Sequence, residues 1–491
     1  MTADRRKVRA PGVVWVILTA LLATTGPGCE TGESLTRKRI RSAERGLLRA
    51  VYLKGTKPEK LQIEARMKFY RIPGVSLAVL DGYRTEWTKV YGSVNAEKGL
   101  PITPETIFQA GEVSRVVATV AALRLVASGR LTLDGDLDTW LKSWRLPAGF
   151  ERPVTLRDLL LNTAGFNPSP LPEIAWSEDR PSLLDLLEAK IPGAEHLLLP
   201  DTEAAGETAP SGVAFAILQK IIEDVTGMLY AHVVEQEVLA PLGLTGSTFD
   251  SKIDPLNPAL ACCHDRSGLP VENGKLFHVS DAACGFWTNP SELASLAADL
   301  LASARDKGGR LLPAESARMM LSSQLGRKAL GLFVDGQGTD VRINIRGRTT
   351  GFTCALEIYP YKGQGAVIMT NSDNGLLLTD EILRALSAVY EWPDFKPLER
   401  TLYRLDPSIY GQYVGRYEVN PDYHLDVAYE DFYLVITPTG QSPTRFYVES
   451  QTFFFSIDPF IRIQFLFGPD GTVKGLNLWQ EDFKQEAKKV S

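Results

Sequence analysis

The chain has 491 residues, a net charge of -6, and 44% hydrophobic and 23% charged residues. That length exceeds one hydrophobic core and predicts roughly two to four folded units. Positive charge gathers in the N-terminal tail and in the segment from Arg37 to Arg49. Basic residues interleaved with aromatics do not recur later, which excludes nucleic acid as an expected partner.

Arg5, Arg6, Lys7 and Arg9 form a basic n-region, followed by an apolar stretch from Val13 to Ala23 that is too short for an ordinary transmembrane helix. Thr25-Gly26-Pro27-Gly28-Cys29 comes next. Residues 1–29 therefore read as a secretory signal of lipoprotein type, with Cys29 as the lipidated first residue of the mature protein. Gly26 stands where such signals usually carry Leu, and a plain secretory signal is the alternative. The expected location is outside the cytoplasm, membrane-anchored in the periplasm or on the outer surface.

The remaining cysteines, Cys262, Cys263, Cys284 and Cys354, lack zinc-site spacing and a CxxC pair. They are expected as small buried thiols, with one disulfide left open. The histidines His196, His232, His264, His278 and His424 do not pair at metal-ligand spacing. Neither a metal nor another cofactor is expected.

In chain order, a charged tether and helix (30–56) lead to a helical run from Glu59 to Tyr70. Asp81-Gly82 separates two strand-like segments, Ile72–Leu80 and Thr85–Tyr91, as in a hairpin. The stretch from Val113 to Ser128 is apolar on almost every side and closes at Gly129, so it reads as a buried helix. A short helix opened by Thr155 is expected to close near Gly165. Residues 167–210 read as an irregular excursion. Helices are expected from Val213 to Val225, stopping at Gly227, and from Pro290 to Ala304. Four strands follow (Leu330–Val334, Val341–Ile345, Thr353–Ile358, Ala366–Thr370), and then a helix from Glu381 to Tyr390. Past the linker, short alternating strands begin at Tyr410. Ile461, Ile463, Phe465 and Phe467 share one face, marking a small β-barrel or sandwich. Phe453, Phe454 and Phe455 read as core or edge rather than as a ligand box.

Several segments, in this order, resemble the serine β-lactamase and penicillin-binding-protein superfamily, in its class C-like branch of esterases and D-aminopeptidases. Ile72-Pro-Gly-Val-Ser and Thr103–Phe108 resemble the first strand and the lead-in to the nucleophile. Leu131-Thr-Leu-Asp and Val154-Thr-Leu-Arg-Asp-Leu-Leu-Leu-Asn-Thr-Ala-Gly resemble "LxLDDP" and "ITIRHLLTHTSG". Pro241-Leu-Gly-Leu, Gly285-Phe-Trp-Thr and Thr370-Asn-Ser-Asp-Asn-Gly match further family segments. The resemblance implies an α/β (α+β) fold: an antiparallel sheet flanked by helices over 57–392, a linker at 393–404, and a lipocalin-like β-barrel domain over 405–491.

The same resemblance implies a Ser nucleophile at the start of the buried helix and a Lys three residues on. Those positions are Glu112 and Arg115. A carboxylate cannot attack as a hydroxyl does, and Arg remains protonated at working pH. The family's Tyr and Asn at the second helix start are Pro210 and Gly212, flanking Ser211, and its strand cation is Ile345. Glu112 could still be a nucleophile or a base for water, but the favoured reading is an ion cluster with Arg115, Arg346 and Arg348 that closes the former site. Ser114 and Ser211 are expected to bond locally, and Asn162 to be structural. Glu112, Arg115, Ser211, Arg346 and Arg348 are the candidate binding residues. The expected function is that of a pseudoenzyme binding a cell-envelope ligand or protein; the alternative is an active serine-type peptidase, esterase or β-lactamase with a rebuilt site.

Overall fold

Alternation along strands and burial of whole helices set the architecture. The computed structural model describes residues 32–491 except 151, 168–169, 176–179, 200–210, 255–256, 272–275 and 481–482. The larger domain opens with helices α1 (Gly32–Glu44) and α2 (Ile63–Tyr70), then strands β1 (Gly74–Asp81), β2 (Arg84–Asn95) and β3 (Leu100–Pro101). Helices α3 (Ser114–Ala127), α4 (Leu156–Leu161), α5 (Gly212–Thr226) and α6 (Pro290–Ala304) follow. Strands β4 (Lys328–Ala329), β5 (Leu332–Asp335), β6 (Arg342–Thr349), β7 (Phe352–Tyr359) and β8 (Gln364–Thr370) lead to helix α7 (Gly375–Tyr390).

The sheet runs β4-β5-β6-β7-β8-β1-β2-β3, with each neighbouring pair antiparallel. Its central strands β1, β7 and β8 are buried along nearly their whole length, because helices cover both faces. One core packs α3, α5 and α6 against the sheet. A second, on the opposite face, gathers Met67 and Tyr70 of α2, Ile382 and Leu386 of α7, and Trp87, Tyr359 and Trp392.

Helix α3 is the buried axis its composition predicts: every residue from Ser114 to Leu123 is buried. A 3-10 turn, Gly111–Val113, feeds into it. Thr155 and Asp158 cap α4 reciprocally. That helix stops at Asn162, left-handed with φ 51°, three residues before the expected Gly165. Helix α7 starts at Gly375 rather than Glu381, so the apolar run Leu376–Leu378 belongs to it. The stretch read as a tether is folded onto the domain. Arg39 of α1 pairs with Asp81 at 2.7 Å and Glu86 at 3.0 Å, and Val51–Leu53 pairs in parallel with Leu398–Arg400.

Strands β9 (Gly415–Asn420), β10 (Tyr423–Glu430), β11 (Tyr433–Pro438), β12 (Thr444–Val448), β13 (Phe453–Phe455), β14 (Arg462–Phe467), β15 (Val473–Gln480) and β16 (Phe483–Lys489) form a closed barrel. Its interior is filled by Tyr413, Tyr417, Phe454 and Phe465 among others. Asp458 fastens it to the larger domain. Arg66 of α2 donates to both Asp458 oxygens at 2.8 and 2.5 Å, and to both Glu381 oxygens at 2.7 and 2.6 Å. Among the described residues no helix is long and apolar enough to cross a membrane; residues 1–29, with the expected signal and Cys29, lie outside them.

Candidate functional site

The start of α3 and strand β6 touch through their backbones. A Cβ on Gly347 would lie 1.9 Å from the Ala110 carbonyl, and one on Gly111, at φ +55°, would lie 2.6 Å from the Arg348 nitrogen. Glycine at both positions therefore lets strand and helix start meet. At this junction the Arg348 N–H donates to Glu112 Oε2 at 2.7 Å.

This bond replaces the expected ion cluster. Among the described residues Glu112 makes no ion pair within 4 Å with the side chains of Arg115, Arg346 or Arg348. The reason is strand period. Ile343, Ile345, Gly347 and Thr349 are the buried residues of β6, so the arginines between them leave from its other face. Arg346 reaches Asp380 of α7 at 2.6 Å and approaches Glu357 at 3.9 Å. Arg348 donates to the Asp373 carbonyl at 3.3 Å.

Arg115 is buried, and its guanidinium carbon lies 5.3 Å from the Phe215 ring centre. Among the described residues its Nε has no hydrogen-bond partner. With Asn162, Lys328 and Ile345 it lines a cavity of about 10 Å³, room for about one water. Ile345 is an apolar wall where a strand cation would have stood. Lys328 donates to the Asn162 carbonyl at 3.1 Å, and burial lowers its pKa.

At the second helix start, the Ser211 N–H donates to Asn162 Oδ1 at 3.1 Å and its hydroxyl donates to the Asn167 carbonyl at 2.9 Å. Asn162 is thus a structural tie. Gly212 lies under Leu171, whose Cγ would be 2.6 Å from an added Cβ. Pro210 lies outside the described residues. Ser114 donates to the Gly111 carbonyl at 2.6 Å and accepts from the Phe286 N–H at 3.0 Å. Its hydroxyl therefore bonds locally on one side and ties the helix start to a distant strand on the other. Ser211, also expected to bond locally, bonds instead to Asn162 and Asn167. The structure therefore joins Glu112 to the backbone of Arg348, and places Arg115 beside Ile345. It does not bring Arg346 to either.

Sequence reasoning missed a buried charge cluster nearby. His278 Nδ1 lies 3.3 Å from Asp250, and Nε2 lies 3.4 Å from Glu173. Asp250 also accepts from the His278 N–H at 2.7 Å, from Gln109 and from the Trp287 indole. Burial disfavours charge on His278, yet its bonds to Asp250 and Glu173 outweigh that and lift it to about 9. Burial likewise opposes charge on Glu173, but His278 and Thr350 hold it down to about 2. Glu173 accepts from the Thr350 N–H at 2.9 Å and from its hydroxyl, so the cluster clamps the 173–175 segment over the end of β6. Among the described residues Cys284 and Cys354 form no disulfide, and burial pushes the Cys284 thiol, close to Glu112 and Arg115, well above its ordinary range.

The Beta-lactamase family model matches residues 62–389. Esterase EstB of Burkholderia gladioli is 29% identical over 172 residues, covering 34% of this chain and 44% of the esterase. Protein flp of Staphylococcus aureus (strain N315) is 22% identical over 320 residues, or 63% of this chain. The chain thus spans 44% and 61% of these two relatives' lengths. Among solved structures, the octameric penicillin-binding protein homologue from Pyrococcus abyssi aligns at TM-score 0.57 and 18% identity, covering 86% of this chain and 98% of that one. At that identity the likeness speaks for the fold.

Proposed function

Because this chain belongs to the β-lactamase family, we propose that it is a catalytically silent member that works by binding a ligand or partner at the cell envelope, held there by a lipid on Cys29. The observation that carries the reading is the 2.7 Å bond from the Arg348 N–H to Glu112. Acyl transfer needs a nucleophile and backbone donors aimed at the oxyanion that develops beside it. Here the nucleophile position holds a carboxylate, and that carboxylate already occupies the strand donor. Arg115 cannot accept a proton, and Ile345 offers no charge. A water activated by Glu112 would also lack this donor for the charge formed on the substrate.

The test is labelling of the intact protein with a fluorescent penicillin and a fluorophosphonate, beside a Glu112→Ser/Arg115→Lys variant. The wild type is expected to stay unlabelled. The variant is also expected to stay dark, since Gly212 and Ile345 still lack the remaining groups. Covalent label at any serine of the wild type overturns the proposal. For the anchor, metabolic incorporation of an alkynyl fatty acid should be lost in Cys29→Ala, and equal incorporation in that variant would remove the lipid from the reading.

A further inference from the structure

The barrel meets the larger domain across a cavity of about 710 Å³, within the size range of small-molecule sites. Its floor is one end of the barrel, with Leu425, Ile436 and Phe446 from the interior and Ile461 and Leu478 beside them. Asn374, Gln441, Gln480 and Gln485 supply polar walls. From the other domain come three exposed arginines, Arg71, Arg266 and Arg348.

Local structure places each of them. Arg71 ends α2 in the left-handed conformation, φ 56°. Arg266 is held by the Asn374 amide, which donates to its carbonyl at 2.9 Å. Arg348 leaves β6 away from α3 because Gly347 and Thr349 face inward. Among the described residues none of the three guanidiniums has a carboxylate partner, whereas Arg39, Arg66 and Arg342 do. Among the described lining residues Asp373 is the one carboxylate, and its Oδ1 is engaged by the Gly351 N–H at 2.8 Å. Like charges gathered at a recess raise its positive potential and draw an anion. Guanidiniums recognise carboxylate and phosphate in particular through paired N–H donors.

We propose that this cavity binds a small amphipathic anion. Its carboxylate or phosphate head sits among Arg71, Arg266 and Arg348, and an apolar body of medium-chain length lies on the barrel floor. The proposal deepens the binding part of the function above and is independent of its catalytic part, because the cavity takes the Arg348 side chain and leaves its backbone bond to Glu112 in place.

The test is calorimetric titration of the full chain with decanoate and with decyl phosphate, below their micelle concentrations. Decanol, acetate and decyltrimethylammonium serve as controls for charge, body and sign. One-site saturable binding of at least one anion is expected, with every control at least about tenfold weaker, since a charge-assisted pair carries about that factor. The preferred head distinguishes a fatty-acid source from a phosphorylated one. Arg266→Gln and Arg348→Gln should each weaken binding about tenfold, and Ser442→Trp, which fills the mouth, should abolish it while the melting curve stays unchanged. Failure of both anions to saturate, equal binding of the cationic amphiphile, or full binding in all three variants overturns the proposal. Covalent labelling of wild type by penicillin would sink the silent-site reading and leave this one standing.

Discussion

Arg66 offers the most direct measure of what joins the two domains. Its guanidinium and the Glu381 carboxylate are only 5% and 3% exposed, and Asp458 is 18% exposed. The Tyr70 hydroxyl adds to the cluster, accepting from Arg66 at 2.7 Å and donating to Glu381 at 2.8 Å. Arg66→Met keeps an unbranched apolar stem out to about the Nε position and removes the guanidinium and its charge. Asp458 retains Arg49 at 2.7 Å, but among the described residues Glu381 keeps only the Tyr70 phenol as a hydrogen-bond donor, with the Arg384 charge at longer range. Stranding one partner of a buried pair costs about 3–5 kcal/mol. Removing both charges in Arg66→Met/Glu381→Leu should recover most of that loss, because the desolvation of both groups disappears with them. The assay is urea unfolding followed by tryptophan fluorescence and circular dichroism, comparing midpoints at constant slope. A single variant within about 1 kcal/mol of wild type, or a double variant less stable than the single, would refute the reasoning, since the expected penalty is several-fold larger.

The His278 cluster predicts a pH profile. With His278 lifted to about 9 from its ordinary 6.5, its contribution is full below about 6.5 and is lost as pH rises through about 9. Glu173, lowered to about 2 from 4.5, contributes above about 4.5 and loses that contribution as pH falls through about 2. His278→Asn should flatten the alkaline limb of the stability curve, and an unchanged limb would assign it elsewhere. Glu112→Gln keeps an acceptor for the Arg348 N–H and should cost less than Glu112→Ala, for which about 0.5–1 kcal/mol is expected at a solvent-exposed bond; equal melting of both variants and wild type would mean the bond carries no stability. Among Cys262, Cys263, Cys284 and Cys354, a thiol reagent should reach the part-exposed Cys262 first and the buried three slowly, which cysteine-mapping mass spectrometry reads directly.

Much of the fold was legible because it rests on local rules. Proline opening α6, Gly227 closing α5 and the unbroken apolar run of α3 each state their element without tertiary help. The errors are equally physical. Asn162 adopts the left-handed turn that glycine usually takes, so α4 closes early. The placing of Arg346 against Glu112 overlooked a period of two that Ile343, Ile345, Gly347 and Thr349 spell out in the sequence itself. The replacement of Ser by Glu112 was visible, but its hydrogen bond was not, because the donor is a backbone group on a strand 236 residues away. Glu173, Asp250 and His278 come from separate segments with no motif spacing, and only folding brings them together. The arginine-rimmed cavity depends on how the barrel docks through Asp458, which no local pattern encodes.

Closure of the barrel restricts how anything can associate with this protein. Tyr417 and Glu418 of β9 pair with Lys489 and Lys488 of β16, so the barrel offers no free strand edge for an incoming chain to extend. In the larger sheet the outermost strands are the two-residue Leu100–Pro101 and Lys328–Ala329; the first pairs with β2 only at Ser93 and Asn95, so among the described residues the outer edge of Arg84–Tyr91 has no strand partner. Partner recognition by strand addition is thereby disfavoured at the barrel and left to the β2 edge of the larger sheet. On the barrel, what remains for an interacting molecule is side-chain chemistry at its ends and loops, and the same closure protects it from edge-to-edge aggregation.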